Sequence, residues 1–358
     1  MGWRRSALTA LAVWAVACGN RGEGPGAESA AGPDKAITAV APAPAPIPQA
    51  PIAPDLPTDA PFTIVVLPDT QGYAKDLRPE FGHQVDWVLE NRTSANIAFV
   101  SHVGDLVQNG SRVRAEWELA DDVMSRLDGV IPWAVALGNH DYNKFNGCGG
   151  GAVAYAEFFG ADRFEKFDWF GGVSDSALST YQVVETGWRT MLFLHLEIDV
   201  PEATMAWAQG VIDEHPGMPT VISVHNYLSC GLKKRWRRPH CNPRGNSAEI
   251  TWRKLIRTNP QVFLVLAGHS PGEHHQVSIN EADTQVIEAA ANYQLRKNGG
   301  DGWLRLVKVL PGEGKIEFRT YSPTLNEFET DADSQFDIDI DLAGRFPAID
   351  LDSTPLGG

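Results

Sequence analysis

Cations, cysteines and long apolar runs are scarce in this chain, and each shortage removes a class of function. Thirty Lys and Arg stand against 45 Asp and Glu, a net charge of −15. That balance excludes a general nucleic-acid binder, whose footprint is basic. Part of the charge is local, because Asn326 to Ala343 carries seven carboxylates and no Lys or Arg. The N-terminal apolar run Ala7 to Ala17 is too short to cross a bilayer, which takes about 20 residues. Four cysteines in 358 residues are too few for a disulfide-dense scaffold. No internal repeat is present, so a solenoid is excluded. Residues 19–61 lack aromatics and apolar periodicity, so that stretch cannot bury enough surface to offset its chain entropy.

What is present begins with an export signal: Arg4 and Arg5, the apolar run, then Ala15-Val16-Ala17-Cys18. Small residues before a cysteine resemble a bacterial lipoprotein cleavage box, although Leu is more usual where Ala15 stands. The resemblance implies a lipidated Cys18; the competing expectation is ordinary cleavage nearby. The Ala/Pro-rich stretch that follows is expected to be extended and fairly stiff. The expected organisation is a signal peptide over 1–17, a tether over 18–60, a catalytic or binding domain over 61–325, and an acidic segment over 326–358. Such a chain would be exported to the cell envelope, lipid-anchored to the membrane and monomeric. Export permits disulfides, and Cys230 and Cys241, which bracket one short loop, are the expected pair. Sequence leaves open that Cys148 takes one of them instead.

In the remainder, 43% hydrophobic content supports one large domain or two modest ones. Phe62 to Leu67, Ile97 to Val103, Ile131 to Ala136, Thr220 to Val224 and Val262 to Leu266 read as buried strands. Helical spacing marks Pro79 to Asn91, Arg112 to Leu127, Pro201 to Glu214 and Ser247 to Arg257. Tyr181 to Val184 and Thr190 to Leu196 read as a hairpin, and Tyr142 to Ser179 as an irregular excursion with one short helix. The alternation implies a layered α/β fold, in which ligands gather beyond the carboxyl ends of the strands. Five strands end, within a few residues, in Asp69, Asp105, Asn139-His140, His225 and His269. Singly each is an ordinary turn or cap residue. Together, carboxylate and amide oxygens with imidazoles suit Zn, Mn or Fe, and two such ions sharing a carboxylate make a hydrolytic site.

Asp69-Thr70-Gln71, Gly104-Asp105, Gly138-Asn139-His140-Asp141, His225 and Gly268-His269 resemble, in order and spacing, the calcineurin-like metallophosphoesterase superfamily. The Asp-Thr-Gln opening is similar to that of an exported bacterial branch. The resemblance implies a four-layer αββα sandwich and two divalent ions. Asp105 would bridge them; Asn139, His225 and His269 would complete one position, and Asp69 with Gln71 would serve the other. His140 would protonate the leaving oxygen, with Asp141 orienting it, while a metal-bound hydroxide attacks a phosphomonoester or phosphodiester. Two departures fall on one metal position: Gln71 stands where the family usually has His, and Pro271 where it has a second His. That position is therefore expected to be weak or oxygen-rich. His102, His274 and His275 are spare imidazoles. Asn109 and the basic run Lys233 to Arg238, Arg235 and Arg237 in particular, are candidate substrate contacts; Gly147 to Gly151 is expected to be a plain glycine loop, with a phosphate nest as the competing expectation. The competing expectation is a non-catalytic surface binding module with a depleted metal site.

Overall fold

Runs of β-branched and apolar residues decide the strands, and the ends of those runs decide where the polar side chains collect. The computed structural model describes residues 59–144, 148–241 and 245–347. The expected signal, Cys18, the tether up to residue 58 and Gly147 of the glycine run lie outside the described residues.

The chain enters as β1 (Phe62–Leu67), turns through α1 (Gln71–Asp76) and α2 (Glu80–Asn91), and continues as β2 (Ile97–His102), α3 (Arg114–Met124) and β3 (Trp133–Val135). The excursion that follows is more ordered than expected. It holds α4 (Val153–Phe159), α5 (Ala161–Phe164) and β4 (Phe170–Val173). Their aromatic side chains supply the order: Phe159 and Phe164 meet Trp133 edge-on, and Trp117 stacks on Phe158. The expected hairpin is β5 (Thr180–Glu185) with β6 (Thr190–Leu196). After α6 (Glu202–Glu214) come β7 (Thr220–Val224), the short pair β8 (Leu228–Ser229) and β9 (Lys234–Arg235), α7 (Ala248–Thr251) and β10 (Val262–Ala267). The chain closes with β11 (Gly272–Ile279), β12 (Gln285–Asn292), β13 (Leu304–Leu310), β14 (Lys315–Ser322), β15 (Glu327–Glu329), β16 (Gln335–Asp339) and α8 (Leu342–Arg345). Helix α7 widens into a π turn over Trp252–Ile256.

Two large sheets result, making the expected layered α/β sandwich. One runs β15-β14-β13-β1-β2-β3, with β16 also on β14, and the other runs β11-β12-β10-β7-β6-β5-β4. The acidic segment thus supplies β15 and β16; along β16, side chains alternate between exposed and half-buried. Strand β6 shows how one strand serves two layers. Its Leu192, Leu194 and Leu196 join Met205, Ala208 and Ile212 of α6 in one apolar cluster. Met191 and Phe193 face the other way into the core between the sheets. There Phe193 stacks on Phe99 of β2 at 4.0 Å between ring centroids, and Ser101 bonds His195 and Ser223 at 2.9 and 2.8 Å. On the outside of the first sheet, α2 and α3 bury Phe81, Val85, Val88, Trp117 and Val123. Strands β1, β2 and β3 are mutually parallel, as are β6, β7, β10 and β12. Their carboxyl ends therefore share one edge of each sheet, and the candidate ligands all follow such ends.

Candidate metal centre

His225 directly follows β7 and has no exposure at all. Its Nδ1 lies 2.7 Å from the Val103 carbonyl, which can only accept, so Nδ1 carries a proton and Nε2 is the nitrogen that would face a cation once its own proton leaves. That Nε2 lies 3.3 Å from Asn139 Oδ1, Asp105 Oδ2 and His269 Nδ1 alike. Ligand atoms of Asp105, His225 and His269 all fall within 4.8 Å of one another. Lone pairs converging out of water repel unless a proton or a cation sits among them. Burial alone would strip a proton from His225, but the Asp105 and Asp69 carboxylates outweigh it and raise its pKa to about 10. Burial pushes the Asp105 carboxyl up, yet the His225 charge wins and holds it well below the usual carboxylate range. At His269, burial, seconded by the His225 charge, lowers the pKa to about 3. The donor set suits a divalent cation.

The backbone is bent to bring these groups together. Asp105 and His269 sit in the left-handed region, at φ 55° and 63°, which costs energy for residues with a Cβ. Glycines make the close approaches. A Cβ on Gly138 would overlap the backbone nitrogen and carboxylate of Asp105, and one on Gly268 would overlap the Asp69 carboxylate. The turns that carry the ligands therefore rest directly on one another.

Asp69 and Gln71, the residues expected at a second position, are both buried. Asp69 is 1% exposed and accepts from the His269 N–H at 3.1 Å and from Asn292 Nδ2 at 2.7 Å. Burial raises its carboxyl well above the usual range, against the pull of His225. Gln71 opens α1, is 2% exposed, and keeps its Oε1 buried without a hydrogen-bond donor. An amide oxygen left this way costs about 1–3 kcal/mol, a penalty that a coordinated cation removes. The residues present thus fit a divalent ion at Asp105, His225 and His269, and Asp69 with Gln71 would offer only oxygens to a second. One position mixes imidazole and oxygen donors, as Zn, Mn or Fe prefer; the other is all oxygen, as Mn, Mg or Ca prefer. None of the spare imidazoles belongs to the ligand cluster found among the described residues. His102 is bonded to Thr70 and the Gly104 N–H, and His275 stacks on Phe336. His274 lies buried on β11.

Other expectations need correction. The carboxylate of Asp141 takes the backbone N–H groups of Asp105, Gly138 and Val107, and so fixes the turns rather than the His140 ring. The His140 ring is held at Nδ1 by Gln108, whose carbonyl lies at 2.8 Å and whose side-chain amide lies at 3.1 Å. The disulfide joins Cys148 to Cys241, 93 residues apart, while Cys230 is a buried free thiol at 3.3 Å from the Ser270 carbonyl. Arg235 does not face the centre. Its guanidinium is paired with the fully buried Glu288 and lies 3.9 Å above the Trp252 ring, because a buried carboxylate demands a charged partner. Asn109 turns its amide to Glu116 at 2.5 Å, and Arg237 is exposed on the loop.

Three contributors escaped the sequence reading. Asn292 ends β12 and ties Asp69 to the His269 carbonyl at 2.7 and 2.9 Å. Its place at a parallel-strand end was the available signal. Glu116 holds the loop below His140. His240 has its ring centroid 4.2 Å from that of His269. Its loop is anchored by the buried Asp199, which accepts from the N–H groups of His240 and Cys241 at 2.9 and 2.8 Å. The disulfide adds a second anchor one residue on.

Comparison with known proteins gives a family model, described as calcineurin-like phosphoesterase, that matches residues 62–305. An uncharacterised Bacillus subtilis protein, YvnB, is 29% identical over 304 residues, which make up 81% of this chain and 22% of YvnB. The chain therefore spans about a fifth of that relative's length. Among solved structures, a purple acid phosphatase from yellow lupin seeds is 12% identical with a TM-score of 0.52, over 84% of this chain and 58% of that one. A dimetal phosphatase from Danio rerio is 13% identical with a TM-score of 0.50, over 78% of this chain and 99% of that one.

Proposed function

The chain belongs to the calcineurin-like phosphoesterase family, a family of metal-dependent phosphoester hydrolases, and from that premise we propose that it cleaves a phosphomonoester or phosphodiester by direct attack of water. The observation that carries the reading is the convergence of Asn139, Asp105, His225 and His269 lone pairs beside an imidazole, His140, that no ligand position requires. Bound ions would supply a water acidified toward neutrality and would offset charge on the phosphoryl oxygens.

The protein's own groups do the rest. With Nδ1–H given to the Gln108 carbonyl, the chemistry of His140 passes through Nε2. In the imidazolium form, Nε2 hands its proton to the leaving oxygen as the P–O bond breaks, while the water oxygen bonds to phosphorus. Asp141 and the glycines hold the Asp105 and Asn139 turns still, so the developing charge meets groups already in place. His240, carried to the rim by its doubly anchored loop, faces the same space and donates to a phosphoryl oxygen. Replacing His240 with alanine is expected to raise KM about tenfold, the value of one hydrogen bond to a charged group, with metal content unchanged. Steady-state kinetics beside elemental analysis check this; an unaltered KM removes His240 from the substrate site.

The reading is tested by metal content per chain and by turnover of chromogenic phosphomonoesters and phosphodiesters with added Mn, Zn, Fe or Mg. Two metals with turnover are expected. Gln71→Leu should keep one metal, lose the other and slow turnover about tenfold or more, as loss of a ligand shell does. Full occupancy in Gln71→Leu would remove Gln71 from the ligands. Absence of turnover under every supplement would sink the hydrolase reading.

A further inference from the structure

We infer that Glu116, a buried carboxylate on α3 with no metal or substrate to touch, is a positioning residue for His140. The inference rests on the reading of His140 as the proton donor. Glu116 is 2% exposed, and both its oxygens are committed to one loop. Oε2 accepts the backbone N–H groups of Gln108 and Asn109 at 2.8 and 3.0 Å, and Oε1 accepts Asn109 Nδ2 at 2.5 Å. The carbonyl of Gln108 then receives His140 Nδ1–H at 2.8 Å. The chain of contacts runs from helix, through carboxylate and loop carbonyl, to the imidazole, and the Gln108 side-chain amide, 3.1 Å from the same Nδ1, is carried on that loop.

The surroundings leave the loop little freedom to take another path. Trp117, beside Glu116 on α3, gives its indole N–H to the Gly110 carbonyl at 2.8 Å. A Cβ on Gly110 would overlap the Tyr142 carbonyl, so the loop is pressed between α3 and the segment that follows His140. Only a carboxylate satisfies three converging donors. A carboxamide has one acceptor oxygen and an NH2 group, which would point at an N–H. Removing the carboxylate moves the Gln108 carbonyl, and the ring loses both its tautomer lock and its aim.

The test uses Glu116→Gln, His140→Ala and the double variant, each loaded with metal. The substrates are p-nitrophenyl phosphate, a good leaving group, and phenyl phosphate, a poor one. Glu116→Gln is expected to lower kcat about 10- to 100-fold while KM and metal content stay within about twofold. The loss should be steeper for the phenyl ester, because only the poor leaving group needs the proton. The double variant should be no slower than His140→Ala, since Glu116 acts through that ring. Additive losses, or equal losses on both esters, overturn the inference. Should Glu116→Gln fail to fold, Asn109→Ala removes one of the three bonds and must show a smaller loss in the same direction, again absent from the His140→Ala background. A readout independent of turnover is the ring-nitrogen shift pattern of 15N-His-labelled protein. Glu116→Gln should move His140 away from a single Nδ1–H tautomer, and an unchanged tautomer overturns the inference. A wild type without turnover overturns the phosphoesterase reading instead, and leaves the tautomer to decide Glu116.

Discussion

Alanine at position 140 is expected to lower kcat by about 100- to 10,000-fold, the usual worth of a positioned general acid, with fold and metal content intact. The structure explains why so large an effect should come without collateral damage. The bond from position 140 to the metal centre is made by its backbone N–H, which reaches Asp105 Oδ1 at 2.8 Å and survives the substitution. Neither Asn139 nor the Asp141 carboxylate leans on the His140 ring in the contacts described. The half-buried ring sits at a rim, so its removal opens a groove to water rather than a cavity in the core. Single-turnover kinetics on the metal-loaded variant give the chemical step directly. A variant with both metals and wild-type turnover would mean that His140 takes no part, and that the centre binds rather than cuts.

The second large effect is on stability. Serine at either Cys148 or Cys241 is expected to cost about 2–5 kcal/mol of unfolding free energy, because the bridge closes a long loop and removes its freedom from the unfolded chain. The 93-residue separation places the bridge toward the upper end of that range. Either single variant should match the double variant, since the bond needs both sulfurs. Serine at Cys230 should cost less and add to the others independently, as its thiol donates only to the Ser270 carbonyl. Chemical denaturation of the oxidised wild type and the four variants decides it. Were Cys148→Ser neutral and Cys230→Ser expensive, the bridge would join Cys230 and Cys241 after all.

That comparison also marks where the sequence was legible and where it was not. The strands that end in Asp69, Asp105, Asn139, His225 and His269 could be read because their apolar runs are local, and parallel neighbours bring their carboxyl ends to one edge. The layered fold followed from the same alternation. Pairing between distant segments is not local; for that reason two readings failed, at Cys241 and Arg235, and two contributors, Glu116 and His240, went unread. Cys241 finds Cys148 rather than its neighbour in sequence. Arg235, one of a run of cations, is taken out of service by Glu288, 53 residues on, whose burial nothing in its own neighbourhood announces. The carboxylate of Glu116 looks like an ordinary first-turn acid of a helix until the loop folds onto it. His240 stands in a stretch without periodicity, and only the Asp199 anchor and the disulfide bring it to His269.

The glycines at 138 and 268 have a consequence of another kind. Each stands immediately before a ligand, yet each is needed for contact between turns, and neither supplies a side chain to the chemistry. Adding a single methyl group there drives one turn off the next, whatever the metals do. The residue after each glycine, by contrast, can change without closing that gap, because the close contact is made at the glycine itself. Recognition of this architecture in a new chain therefore reads two separate messages written side by side. Glycine spacing reports that the scaffold survives; the residue after each glycine reports what the scaffold still does. A descendant that had lost all its chemistry would still spell the first message, and only the second distinguishes an enzyme from its relic.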